Sequence, residues 1–182
     1  MVLEAQGKLD EAEPLFRKAL EGSRRALGDA HPDTLACINN LAGVLHSQRK
    51  LDEAEPLYRE ALEGFRRTFG DTHPSTLTSI NNLGLLLQDQ GKLSEAEPLY
   101  REALEGRRRT LGDFHPETLI SINNFGTFLQ EQGKLKEAKM FYEIAVRGAE
   151  KTFDDSHPHL VSYRQNLEDV LRALKKEKPR KI

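Results

Sequence analysis

Residues His73–Gly106 read HPSTLTSINNLGLLLQDQGKLSEAEPLYREALEG. In the first half, Leu77, Ile80, Leu83, Gly84 and Leu87 fall at i, i+3, i+6, i+7 and i+10, an apolar stripe of helical period. Pro74 suits the first turn of that helix, where its missing N–H is not needed, and Gly91 supplies the stop. The second half opens at Ser94. Ser94 and Glu97 fit the S-x-x-E capping box, and Asp10/Glu13 and Asp52/Glu55 repeat it with Asp as the cap. Pro98 follows one residue later, still inside the first turn, as do Pro14 and Pro56. Ala96, Leu99, Tyr100, Ala103 and Leu104 then recur at helical spacing until Gly112. The stretch predicts two helices joined by a short turn.

The same pair recurs along the chain. His-Pro stands at His31-Pro32, His73-Pro74, His115-Pro116 and His157-Pro158, each 42 residues after the last. Gly7-Lys8-Leu9, Arg49-Lys50-Leu51, Gly91-Lys92-Leu93 and Gly133-Lys134-Leu135 keep the same 42-residue step. Two markers in one register, without insertion, predict a stacked all-α array and not a compact globule.

Composition narrows the function. The 182 residues carry 27 Lys+Arg against 29 Asp+Glu, a formal net charge of −2, which argues against bulk-basic nucleic-acid binding. No apolar run approaches the ~20 residues of a membrane span, and the N-terminus MVLEAQGKLDEAEP has no basic-then-apolar signal region. The expected location is cytoplasmic. One cysteine, Cys37, excludes an intramolecular disulfide and a multi-cysteine zinc site. It reads as a small buried residue. His31, His73, His115 and His157 occur once per unit. Packed helices lie ~8–10 Å apart, so these side chains do not converge on one ion, and a loop or cap role beside Pro is expected. No phosphate loop, catalytic carboxylate pair or Ser/His/Asp set is present. The reading is of a non-enzyme without cofactor or metal.

Charged residues on the second helices form Glu-Arg-Glu ladders at i, i+4, namely Glu13/Arg17/Glu21, Glu55/Arg59/Glu63 and Glu97/Arg101/Glu105. These predict solubility and modest helix support. Arg24-Arg25, Arg66-Arg67 and Arg107-Arg108-Arg109 sit in last turns, where cations meet the negative end of the helix dipole.

The alternation L-x-x-L-G-x-x-L, Q-G-K-L, E-A, L-Y, A-L resembles the tetratricopeptide repeat. HPDTLACINNLAGVLHSQRKLDEAEPLYREALEG and the quoted stretch are similar to the 42-residue repeats of kinesin light chains. The resemblance spans roughly residues 1–174. It implies a right-handed α-solenoid of antiparallel helix pairs, a TPR superhelix, whose first helices line a concave peptide groove.

The expected organisation is a truncated first repeat (1–30), three full repeats (31–72, 73–114, 115–156), a capping helix (157–174) and a basic tail (175–182). In the first repeat only Val2–Gln6 would remain of the first helix. In the capping helix, Glu168 stands where Ala42, Gly84 and Gly126 are small, and Arg164 where Ile38, Ile80 and Ile122 are apolar, as a solvated terminal face requires. The tail, five basic residues and one acid, is expected to be frayed. The open N-terminal face, with Leu15, Phe16, Ala19 and Leu20, is expected to be buried in a homodimer or in a longer array. Leu15, Phe16 and Leu20 are its candidate oligomer contacts.

Helical spacing places Ala36, Asn40, Gly43 and Ser47 on the groove floor, followed by Thr78, Asn82, Leu85 and Asp89, then Ile120, Asn124, Thr127 and Glu131, then Ser162, Asn166, Asp169 and Ala173. Asn39/His46, Asn81/Gln88, Asn123/Gln130 and Gln165/Arg172 lie beside them. Asn is a mediocre helix-interior residue, so its recurrence at 40, 82, 124 and 166 needs a reason. A carboxamide bonds both the N–H and the C=O of an extended peptide. The resemblance supports that role for Asn40, Asn82, Asn124 and Asn166. The competing role is bonding between neighbouring repeats, which is favoured for Asn39, Asn81 and Asn123. His46, Gln88, Gln130 and Arg172 complete the candidate peptide-binding set. The resemblance places carboxylate-gripping cations at Ala36, Thr78, Ile120 and Ser162, and none is basic. Asp89, Glu131 and Asp169 outnumber the groove's cations. A neutral or basic partner segment is therefore expected. The alternative function is self-assembly through the N-terminal face. Met140 and Ile144, in place of Pro98 and Glu102, form a small apolar pair on the outer face of the last unit.

Overall fold

The computed structural model describes residues 8–177. Val2–Gln6 and the end of the basic tail lie outside the described residues. Eight helices occur among those described: α1 (Leu9–Leu27), α2 (Pro32–Ser47), α3 (Leu51–Phe69), α4 (Pro74–Asp89), α5 (Leu93–Leu111), α6 (Pro116–Glu131), α7 (Leu135–Thr152) and α8 (Pro158–Glu177). They form an all-α solenoid of helical hairpins. The chain divides within α5 into two compact units, Met1–Leu99 and Tyr100–Ile182.

In the first unit, each helix packs on the next in sequence, and α2 also touches α4. The apolar stripes of the sequence form the core. Leu35, Ile38, Leu41 and Leu45 of α2 are buried with Tyr58, Ala61, Leu62 and Phe65 of α3 and with Leu77, Ile80, Leu83 and Leu87 of α4. Burying each large side chain contributes about 1.5–3 kcal/mol, which offsets the marginal stability of isolated helices of this length.

In the second unit, α6 packs on α7 and α7 on α8, with α6 also touching α8. Its centre is aromatic. The Tyr100 ring lies 5.1 Å from Phe128, and Phe125 stacks on Phe128 at 6.0 Å. Leu160, Tyr163 and Val170 of α8 are buried, whereas Glu168 is exposed. Arg164 extends to Glu150 at 2.9 Å and Asp155 at 3.0 Å. The polar substitutions of the last helix thus meet solvent and charge. That helix continues to Glu177, so the first three residues of the expected tail are helical and not frayed.

The histidines cap the helices they precede. Nδ1 of His31, His73 and His115 accepts the N–H of Asp33, Ser75 and Glu117, each at 3.2 Å, and Pro follows at the first helical position. The capping boxes are a correction. Helices α1, α3 and α5 begin at Leu9, Leu51 and Leu93, so Asp10, Asp52 and Ser94 already lie inside the first turn. The cap residues Lys8 and Lys50 make no side-chain cap bond. The carboxylates three residues further on, Glu13 and Glu55, have other partners. Glu13 meets Lys50 of the next hairpin at 2.7 Å and Arg17 at 2.9 Å, and Glu55 meets Lys92 at 2.6 Å and Arg59 at 2.8 Å.

The ladders likewise run between hairpins. Arg17 reaches Glu53 at 3.0 Å and Arg59 reaches Glu95 at 2.9 Å, while Glu21 and Glu63 pair with Arg25 and Arg67. The Glu55 carboxyl is lowered from 4.5 to about 2, chiefly by the Lys92 hydrogen bond. The stabilisation from this group is complete above about 4.5 and is lost as pH falls toward about 2. Thermal melts between those values should show Glu55→Gln with a shallower acid dependence than the wild type. Parallel curves would exclude Glu55 as a contributor.

Arg107 also departs from expectation. Instead of facing solvent at a helix end, it is 3% exposed. It binds Glu117 Oε2 at 2.8 Å and donates to Ser121 Oγ at 2.7 Å. In the 42-residue register it replaces the buried Phe65.

Two kinds of close approach depend on glycine. A Cβ on Gly126 would meet Tyr142 Cε1 at 2.8 Å. One on Gly64 would overlap Leu35, whose side chain is 2% exposed and cannot swing aside. Gly64→Ala should therefore cost about 1–3 kcal/mol, read from the urea midpoint. An unchanged midpoint would show that Leu35 can repack.

Candidate functional site: the accessible face of the first helices

The face that helical spacing assigns to the groove is not consumed by hairpin packing. In the first unit, Ala36, Asn40 and Ser47 are exposed and Gly43 is half-buried on α2. On α4, Thr78, Asn82 and Leu85 are half-buried and Asp89 is exposed. In the second unit, Ile120, Asn124 and Thr127 of α6 are half-buried and Glu131 is exposed. On α8, Ser162 and Asp169 are exposed while Asn166 and Ala173 are half-buried.

The carboxamides are tied between neighbouring first helices. Asn82 Nδ2 donates to Asn39 Oδ1 at 3.5 Å in the first unit, and Asn166 Nδ2 donates to Asn123 Oδ1 at 2.9 Å in the second. The repeat-to-repeat role is thus present for these four. Each amide bears two donors and one acceptor, so one such bond leaves capacity on the accessible side. Asn40 is exposed. Asn81 is 6% exposed, and both Asn81 and Asn124 are engaged by other groups.

The flanking residues divide by unit. His46 Nε2 lies 3.0 Å from Asp89 Oδ2, and Arg49 Nη1 also binds that oxygen. Its ring stands edge-on to Tyr58 at 6.3 Å. Arg49 adds a polar group to this cluster that spacing did not assign to the face. The available signal is its place in the G-K-L marker, where Gly91 and Gly133 have positive φ and Arg49 itself sits at φ 63. Gln88 is half-buried and engaged. Gln130 Oε1 is buried without a hydrogen-bond donor. Arg172 is neutralised by Glu168 at 3.1 Å and Asp169 at 3.5 Å, and Gln165 donates to Asp169 at 3.0 Å. Beneath the face, Tyr142 Oη donates to Thr127 Oγ1 at 3.1 Å, and burial pushes the Tyr142 phenol up from its ordinary value.

The N-terminal candidates do not act together. Leu15 is 57% exposed and Phe16 half-buried, but Leu20 is only 6% exposed. Leu20 is a core residue of its own unit and drops out of the exposed strip. Among the described residues, no group of three His, Cys, Asp or Glu side chains can hold a metal ion. No described helix is long and apolar enough to cross a membrane.

Comparison with known proteins agrees with this architecture. Family models described as Tetratricopeptide repeat match residues 1–67, 35–109 and 81–138, and a second such model matches 118–159. A search of curated proteins returns no match. Among solved structures, a putative kinesin light chain with nearly identical TPR-like repeats from Podospora anserina is 25% identical, with a TM-score of 0.79 over 97% of this chain and 83% of that one. BtubC (BKLC) from P. vanneervenii is 24% identical, with a TM-score of 0.81 over 95% of this chain and 69% of that one. The apo form of RapI is 16% identical, with a TM-score of 0.75 over 96% of this chain and 46% of that one. The chain belongs to the tetratricopeptide repeat family, with repeats of the kinesin light chain type.

Proposed function

We propose that the protein is a non-catalytic scaffold that holds a partner's peptide segment against the accessible face of its first helices. Tetratricopeptide repeat proteins are generally protein-interaction scaffolds. The observation that carries the finer reading is the set of half-buried carboxamides bonded from helix to helix between two adjacent registers, Asn82 to Asn39 and Asn166 to Asn123. A bond to a neighbouring Asn orients an amide before any ligand arrives, which lowers the entropy cost of using it. The segment is neutral or basic, extended or helical. Among the described residues, His46 and Arg49 are already occupied by Asp89, and Arg172 by Glu168 and Asp169, so these cations of the face already meet carboxylates.

Selection from a displayed random-peptide library, followed by titration, tests this. Asn82→Ala combined with Asn124→Ala should weaken the selected peptide at least about tenfold while the helical circular dichroism persists. Unchanged affinity would remove the carboxamides from the account. Self-assembly through α1 is the weaker reading, because of its three candidate contacts Leu20 is buried, Phe16 is half-buried and Leu15 is exposed.

A further inference from the structure

A second surface lies on the opposite kind of helix. In the second unit, Arg108, Asp113, Phe114, Ile144, Arg147 and Lys151 line an open cavity of about 450 Å³. That volume falls within the range of specific binding sites. Its walls are the end of α5, the connection to α6, and α7.

The 42-residue register shows how the cavity arose. The matching residues in the first repeats are Arg24, Asp29, Ala30, Glu60, Glu63 and Arg67. There the charges cancel. Arg24 pairs with Glu60 at 2.6 Å and Asp29 at 3.1 Å, and Arg67 pairs with Glu63 at 2.7 Å. The last repeat keeps Arg108 and Asp113, has Lys151 for Arg67 with the charge unchanged, and alters the other three in kind. Phe114 stands for Ala30, Ile144 for Glu60 and Arg147 for Glu63. Two cations facing three carboxylates become three cations facing one.

The cations are consequently left with little to neutralise them. Arg108 Nε lies 3.1 Å from Asp113. Arg147 uses one donor on the backbone carbonyl of Glu143 at 3.2 Å. Lys151 Nζ sits 4.6 Å from the centre of the Phe114 ring. Among the described residues no carboxylate lies within ion-pair distance of Arg147 or Lys151. The Phe114 ring is 51% exposed, and its backbone carbonyl is held by Thr152 Oγ1 at 3.2 Å. The site therefore combines a fixed aromatic, an aliphatic side chain and two available cations.

We infer that this cavity is a second docking site, on the outer helices of the last repeat, for an acidic peptide segment that carries one apolar side chain. The carboxylates would meet Arg147 and Lys151, where charge-assisted bonds are strongest, and the apolar side chain would rest on Ile144 and Phe114. The opposite charge preference separates this site from the carboxamide face.

The test titrates a fluorescein-labelled peptide of three consecutive glutamates beside one leucine into the full chain at low salt. Micromolar binding is expected, falling steeply with ionic strength. Ile144→Glu with Arg147→Glu, which restores the residue types of the earlier repeats, should weaken it at least about thirtyfold with an unchanged melting temperature. A glutamine version of the peptide should lose affinity comparably. Asn82→Ala with Asn124→Ala should leave this binding intact, so failure here and failure of the carboxamide reading are distinguishable. Absence of binding, binding indifferent to the Ile144/Arg147 pair, or displacement by equimolar inorganic phosphate would each overturn the proposal.

Discussion

Phe128→Ala is expected to lower stability by about 3–5 kcal/mol, the largest single loss in the chain. Phe128 is fully buried, with Tyr100 at 5.1 Å and Phe125 at 6.0 Å between ring centres. Removing the ring deletes its burial and both aromatic contacts, and it leaves a void that helices α5, α6 and α7 cannot close without moving together. Because hairpins of a repeat array gain stability mainly from nearest neighbours, the loss should be concentrated in the second unit. Tyr100, Tyr142 and Tyr163 lie there, against Tyr58 in the first unit, and the chain has no Trp, so tyrosine emission is weighted toward the second unit during urea unfolding. The midpoint of that signal should fall, with the amide signal of the first unit following at higher urea. A coincident, barely shifted transition would mean that the aromatic cluster repacks.

Arg107 and Glu117 give the second large effect, and its sign depends on which partner is removed. The Arg107 side chain is 4% exposed and Glu117 is 47% exposed. Burial pushes the guanidinium down from its ordinary value, and the Glu117 carboxylate opposes that shift. Glu117→Ala strips the carboxylate from a buried cation, leaving its bonds to Ser121 and to the residue-117 backbone carbonyl. A fully buried pair loses about 3–5 kcal/mol in this way, and the exposure of Glu117 reduces the expectation to about 2–3 kcal/mol. Arg107→Met removes the charge as well and fills the site that Phe65 occupies one repeat earlier. It should be neutral or stabilising. Urea midpoints of the two variants decide the matter. If Arg107→Met is the more damaging, the charge itself organises α5 against α6.

Much of this was legible before any coordinates. The stripe Leu77, Ile80, Leu83, Leu87 predicts α4, and the His-Pro markers predict where each first helix begins, because both depend on contacts within a few residues of chain. The resemblance pointed to the first helices and helical spacing picked one face of them, whose residues are exposed or half-buried. The misreadings share one cause. Glu13 and Glu55 look like capping-box partners because the local pattern is right, yet Lys50 and Lys92 arrive from the next hairpin and take them. Arg107 looks like one of three helix-end cations, yet the rotation of α5 turns it alone into the core. Leu20 looks exposed by loss of a neighbour, yet it is buried.

Repetition at a constant 42-residue step, helix type, helix order and the buried stripes were set by the chain itself, since period and amphipathicity are properties of nearest neighbours along it. Which charges neutralise one another, which amides are tied together, and where Phe114, Ile144 and Arg147 meet around one cavity were decided only by the packing of hairpin on hairpin. Those partners are about 36 to 43 positions apart in the bonded pairs, as in Arg17–Glu53 and Asn82–Asn39, and no local rule of helix formation carries information over that distance.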